Sequence, residues 1–285
     1  MKTAARFSKV VAGVLCLCVA WAHAQETPES PQAPVPAEVA LDAPRDYLLG
    51  LSVNSSLDPL GGDDREQSWR PLWAFQWGRF RFATGGAAAL LSLGRQKVDS
   101  GVSTSLLEDD RWSLSGSLSW DGGRKADAPL LQGLPDVRST LRGRVNLGYQ
   151  FAPRWSAGAT VSQDLLGRDG GLQWNTSLKY HHPVSGRTYW DLGLGAQWGN
   201  GTFMQTHYGI TPTAAQSAGR DAYAVSSGWE SVGLSWGMAS AIHDRWVVFG
   251  GVRWSMLQGQ AKRSPLVAHP DTWGASLGLA YRCCN

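Results

Sequence analysis

The residues in this 285-residue chain that could do covalent chemistry are few and scattered. Asp63-Asp64 and Asp109-Asp110 are paired carboxylates of the kind a protease uses for general acid–base work. His181-His182 and His207 are the imidazoles that would have to join them. A lipase would need a serine, a histidine and a polar group to orient the ring. No two of these candidates have a spacing that forces them together, and surface loops are rich in the same residue types. There is no His-Glu-x-x-His and no Gly-x-x-x-x-Gly-Lys, and the glycines near Gly193 and Gly195 sit inside a strand pattern. Cys283 and Cys284 are adjacent, lack the spacing of a zinc site, and cannot easily close a disulfide with each other. No metal or cofactor is implied, and the expectation is a protein that is not an enzyme.

Polar residues of a different kind are placed by alternation. In Gly228 to Leu257, Val232, Leu234, Trp236, Met238 and Ile242 alternate with Gly233, Ser235, Gly237, Ala239 and Ala241. After His243-Asp244, the residues Trp246, Val248, Gly250, Val252, Trp254 and Met256 stand opposite Arg245, Gly251, Arg253 and Ser255. A period of two means strand. Runs of about a dozen residues exceed the usual soluble strand and suit one tilted across a bilayer. Trp246 and Trp254 fall roughly 20 Å apart along the membrane normal, near the spacing of two aromatic girdles.

The same alternation recurs along the chain. Trp112, Leu114, Gly116, Leu118 and Trp120 face one way and Ser113, Ser115, Ser117 and Ser119 the other. Comparable runs start at Tyr47, Trp69, Phe80, Ala88, Leu141, Trp155, Leu172, Trp190 and Trp273. Arg95 to Asp109 shows no clear pattern and reads as a connection, and His181 to Gly186 reads as a short turn. The total predicts an all-β fold, a transmembrane antiparallel up-and-down β-barrel of about twelve strands over residues 46–285. The turns at Ala152-Pro153, His181-Gly186 and His243-Asp244 then share the periplasmic side, and the long segments Asp121-Ser139, Gly199-Ser227 and Gly259-Asp271 share the outer one. The 15 Trp, 34 Gly and only 17% charged residues agree with that class better than with a soluble sandwich.

The N-terminus supplies an address. Lys2, Arg6 and Lys9 precede an apolar run, Val10 to Trp21, and Ala22-His23-Ala24 fits a cleavage site, so residues 1–24 read as a signal peptide. Residues 25–45, rich in Pro, Ala, Gln and Glu, read as a disordered periplasmic lead-in. With the three leader cations removed from the 26 basic residues, the mature chain matches its 23 acidic ones, so no charge argument supports nucleic acid as a partner. The expected surroundings are outer-membrane lipid in a Gram-negative envelope.

Charge on a lipid-facing wall costs ~2–4 kcal/mol near the midplane, so the alternation turns Arg142, Arg144, Lys179, Asp191 and Arg253 toward the lumen. Arg154, Arg245 and Arg282 fall at the lumen or its rims. These groups either pair with carboxylates and loop carbonyls in a packed interior or favour anions in a narrow channel. About twelve strands leave a small bore, and the expectation is a lumen plugged or nearly so by Gly199-Ser227.

That long segment also carries a resemblance. Phe203-Met204-Gln205-Thr206-His207-Tyr208-Gly209-Ile210-Thr211-Pro212, followed by Ala214-Ala215-Gln216-Ser217-Ala218-Gly219 and Tyr223, resembles the signature loop of the MltA-interacting protein/OmpV family. Its matching residues are Met204, Gln205, Thr206, Tyr208, Gly209, Thr211, Pro212 and Tyr223, with His207 standing where the family has Tyr. Ser264-Pro265-Leu266-Val267, Gln163-Asp164-Leu165 with Gly170-Gly171, and Leu277-Gly278-Leu279-Ala280-Tyr281 are similar to further family segments. Asp58-Pro59-Leu60-Gly61-Gly62 lacks the family's Tyr, and Cys283 stands where the last strand usually ends in an aromatic. The resemblance implies an outer-membrane barrel that links a lytic murein transglycosylase to a penicillin-binding synthase. Its other implied roles are a narrow small-solute porin and a surface adhesin acting through the loops.

Overall fold

The computed structural model describes residues 47–60, 65–85, 87, 90 and 101–283. The segments read as signal peptide and lead-in, together with Asp63-Asp64 and Cys284, lie outside the described residues. Twelve strands form one closed barrel in which each pairs with its chain neighbours and β1 with β12. They are β1 (Tyr47–Leu57), β2 (Arg65–Trp77), β3 (Phe80–Ala83), β4 (Gly101–Glu108), β5 (Trp112–Asp121) and β6 (Thr140–Ala152). Then follow β7 (Trp155–Asp164), β8 (Leu172–Ser185), β9 (Thr188–Gly199), β10 (Gly228–Ala241), β11 (Trp246–Leu257) and β12 (Asp271–Cys283). Every pair is antiparallel, and closure runs from Tyr47 opposite Cys283 to Ser56 opposite Gly274.

The alternation turns apolar residues outward. Leu49, Leu51, Val145, Leu194, Trp236, Leu277 and Leu279 are all exposed, Leu277 at 64%. In water such a surface would drive aggregation; against lipid tails it is the stable face. Trp112, Trp155 and Trp246 ring the end with short turns, each against a tyrosine, with centroids 4.3 Å (Tyr149), 4.9 Å (Tyr180) and 5.1 Å (Tyr281) apart. Trp120, Trp174, Trp229 and Trp273 ring the opposite end and are exposed too. No helix among the described residues is long and apolar enough to cross a membrane, so the crossing is made by strands. Short turns mark the periplasmic end of such barrels and long connections the outer mouth.

The strand count agrees with the sequence reading, but the fourth strand lies elsewhere. It is Gly101–Glu108, inside the stretch read as a connection. A bulge between Ser105 and Leu107 turns both Leu106 and Leu107 outward and breaks the period of two. Thr104, polar, takes an outward position as well, so two signals fail together. Of Ala88-Leu93 only Leu90 is described, and it is helical, as is Ala87. With β4 in place, its connection to β5 is the short turn Asp109–Arg111. β8 likewise continues through His181-His182 to Ser185, so the turn there is confined to Gly186 and Arg187, after a bulge at Pro183/Ser185.

The interior holds two apolar cores at opposite ends. At the turn end Leu48, Leu72, Ala74, Ala239, Ala241, Val247 and Ala280 pack on Ala87 and Leu90, with Tyr189 and Phe249 alongside. The strands are therefore apolar on both faces there, which alternation alone does not show. The second core fills the mouth.

Candidate functional site

The mouth core is built by the long connection between β9 and β10. Helix α1 (Gly201–Tyr208) starts at Asn200, whose side chain accepts from the amides of Phe203 at 2.9 Å and Leu172 at 3.1 Å. Phe203, Met204 and Tyr208 point inward and are buried. Helix α2 (Pro212–Ala218) starts at Thr211, whose hydroxyl accepts from Ala214 N at 3.3 Å. Pro212 occupies its first turn, where no amide is needed. Gly219 ends it in the left-handed conformation at φ 63°.

Each signature residue has a part in folding this segment. Gln205 accepts from Val225 N at 2.8 Å and donates to Tyr223 O at 3.4 Å. Thr206 donates to Asp169 O at 2.8 Å. Ile210 and Tyr223 exchange two backbone hydrogen bonds at 2.9 Å, and Tyr223 donates its hydroxyl to Gln260 O at 2.9 Å. Gly209 leaves no room for a side chain: a Cβ there would stand 2.1 Å from the Gln205 amide. Tyr208 donates to Glu230 of β10 at 2.7 Å and accepts Ser264 Oγ at its carbonyl at 2.7 Å.

Two of the other family-like segments meet this one, whereas Leu277–Tyr281 runs to the turn end of β12. Ser264 and Leu266 are buried in the same core, beside the one-turn helix α3 (Gly259–Lys262). The Asp164 carboxylate accepts from Thr140 Oγ1 and from the amides of Leu166, Arg168 and Gly170, and so shapes the β7–β8 loop. Gly171, at φ 57°, brings that loop against Phe203 N, where a Cβ would come within 2.4 Å. Leu60 joins the core, and its loop is held by Ala268 N donating to Pro59 O at 3.0 Å. Segments far apart in sequence thus form one cap, and only a resemblance to other chains marked them in advance.

The charges expected in the lumen divide into two groups. Arg142, 2% exposed, is locked under the cap: it donates to Asp121 at 2.7 Å and to Gly170 O at 2.7 Å, and its guanidinium lies 5.7 Å from the Phe203 ring centroid. Arg144 follows on the same face, between Ser117 and Ser162. Deeper in the lumen Asp191 is shared by Lys179 at 2.8 Å and His181 at 2.7 Å. Arg253 lies beside Ser235 and Gly274. The side chains of Arg144 and Arg253 make no hydrogen bond or ion pair among the described residues. At the turn-end rim Arg154 and Arg245 donate to the hydroxyls of Tyr180 and Tyr281 at 3.5 and 3.1 Å.

Among the described residues no hydrogen bond or ion pair joins the catalytic candidates to one another. Asp109 and Asp110 stand on the exposed β4–β5 turn, His181 lines the same cavity but is bonded to Asp191, and His207 sits in the cap. Burial, then the cation Arg124 beside it, push His207 down to about 4; Asp121 pulls the other way, and Arg142 adds to the lowering. No group of three or more metal-ligating side chains occurs among the described residues.

A closed antiparallel barrel with a lipid-facing apolar wall, two aromatic rings, short turns at one end and packed loops at the other defines an outer-membrane β-barrel protein. Within that class, the chain belongs to the family described as MltA-interacting protein MipA, whose family model matches residues 49–283. The MltA-interacting proteins of Escherichia coli (strain K12) and Shigella flexneri are each 24% identical to it over 149 residues, 52% of this chain. The match spans 59% of the length of those curated relatives. Among solved structures, the chain is similar to the NanC porin, with TM-score 0.44 and 9% identity, covering 82% of this chain and 100% of that one. It is also similar to an outer-membrane channel from Pseudomonas putida F1, with TM-score 0.46 and 10% identity, covering 88% and 99%.

Proposed function

We propose that this protein is a non-catalytic outer-membrane barrel that holds peptidoglycan-remodelling enzymes, a lytic murein transglycosylase and a penicillin-binding synthase, at the inner surface of the membrane. The observation that supports this reading best is the cap: the residues that mark the family fold inward into an apolar core across the mouth. A diffusion pore needs a continuous polar path, and here the family's own signature serves closure. The name of the Escherichia coli relative, MltA-interacting protein, agrees with a role in attachment. Contacts would fall to the periplasmic turns and the segment 25–45. Affinity capture from envelope extracts with the full-length protein should recover the transglycosylase, the synthase or both; recovery of neither overturns the reading.

A narrow small-solute porin is the second reading, and the polar cavities inside the barrel favour it. Planar-bilayer recording separates the two. A capped barrel is silent, whereas a porin shows steps that shift in the Arg142→Ala/Arg144→Ala variant. The adhesin reading has less support, because Phe203, Met204, Tyr208 and Ile210 are buried and leave the loop few side chains for a surface contact.

A further inference from the structure

Between its two apolar ends the barrel is hollow. A cavity of about 520 Å³ is lined mainly by β4 to β8, and a second of about 460 Å³ by β8 to β11; they meet at Lys179. The hollow has a cause in the sequence. Gly233, Gly195, Ser177, Gly158 and Gly148 are successive register partners across five strands and send almost no side chain inward. The adjoining row, Gln197, Asn175, Thr160 and Asn146, supplies amide and hydroxyl groups at the wall.

At its outer end the hollow meets the apolar core of the cap, with Arg142 buried beneath it. The larger cavity instead reaches the exposed turns Asp109–Arg111 and Pro153–Arg154, at the periplasmic end. Its electrostatics are one-sided where the second cavity lies. Asp191 is already committed to Lys179 and His181, while Arg253 in the same wall has no carboxylate partner among the described residues. A guanidinium with free donors matches a carboxylate in a planar, two-pronged fit, and the wall around it matches hydroxyl groups. Both volumes lie within the range of small-molecule sites.

We propose that the lumen is a periplasm-facing binding chamber for a small polyhydroxylated carboxylate, a sugar acid, whose carboxylate is held by Arg253 and Lys179 and whose hydroxyls meet Asn175 and Gln197 in the wall of the same cavity. This goes beyond the attachment role and does not depend on it, since neither partner enzyme is needed for binding.

Titration calorimetry on the full-length protein in detergent micelles tests it, with glucuronate as the probe, glucose as its neutral counterpart and acetate as its hydroxyl-free one. Glucuronate should bind, and glucose and acetate should each bind at least about tenfold more weakly. Arg253→Gln, which disturbs no ion pair among the described residues, should weaken glucuronate by about tenfold or more while the barrel keeps its heat-modifiable migration on gels. Asp191→Asn, which frees Lys179, should tighten it. No binding of glucuronate, equal binding of glucose, or an unchanged affinity in the Arg253→Gln barrel overturns the proposal.

Discussion

Tyr208, at the end of α1, donates its hydroxyl to Glu230 across 2.7 Å, and this bond ties the cap to the wall of the barrel. Glu230 reaches it because the register of β10 shifts between Trp229 and Ser231, so the extra residue turns inward at the mouth. The second Glu230 oxygen is buried without a hydrogen-bond partner, which leaves the carboxylate dependent on Tyr208. Ser264 holds the carbonyl of the same tyrosine. One residue therefore joins α1, β10 and the β11–β12 loop.

Tyr208→Phe should loosen the cap without unfolding the barrel. The ring stays in the core, but a buried carboxylate loses its hydroxyl donor, at about 1–3 kcal/mol. Hydrogen exchange across residues 200–227 should rise while the strand amides stay protected. Unchanged exchange in the cap would mean that Glu230 is satisfied in another way.

Gly171→Ala should be more disruptive than its size suggests. The backbone at φ 57° disfavours any side chain, and the new Cβ would press on Phe203 N and the Asn200 cap. Crowding of this kind costs roughly 1–3 kcal/mol, and here it pushes α1 off its first turn. Faster proteolysis within the β9–β10 connection is the expected outcome; Gly167→Ala, where φ is 63° but nothing lies within 4 Å, should do less.

The two faces of β12 offer a direct check on orientation. Leu277 faces outward and Ser276 inward, beside Asn54 and Gly251. Leu277→Arg should cost ~2–4 kcal/mol of folding stability near the midplane, and Ser276→Arg far less, measured by urea titration in lipid vesicles. Equal costs would contradict the facing derived from alternation.

How far the sequence carries this fold depends on which contacts set each part. Outward faces are decided strand by strand against lipid, so a local period of two reads Leu234, Trp236 and Met238 without any knowledge of their neighbours. β4 escaped because its bulge at Ser105/Leu107 and its outward Thr104 remove the period while the ladder to β5 remains. The turn-end core escaped for another reason: Val247 and Ala241 are inward and apolar because Ala87 and Leu90 fold into the barrel, a contact with no local trace. The cap residues were marked only by likeness to other chains. Their work, such as Gln205 bonding Val225 and Tyr223, appears once distant segments are placed together.

His207 gives the cap a pH dependence whose sign is fixed by its surroundings. It stacks beside Phe203 at 4.4 Å, its carbonyl accepts from Arg124 at 2.8 Å, and Arg142 and Asp121 lie near. Burial and these cations lower its proton affinity from the ordinary 6.5 to about 4 in the folded cap. Between those values the unfolded loop takes up the proton more readily than the folded one, so acid favours opening. The cap should keep its full stability above about pH 6.5, weaken as pH falls toward 4, and level off below that. Hydrogen exchange of residues 200–227, corrected for the intrinsic rate at each pH, should show this loss. His207→Tyr removes the titrating ring and keeps an aromatic against Phe203, so its cap should hold steady over the same interval. If the variant weakens in parallel with the wild type, the acid response belongs to another group, with Asp121 and its bond to Arg142 the next to change.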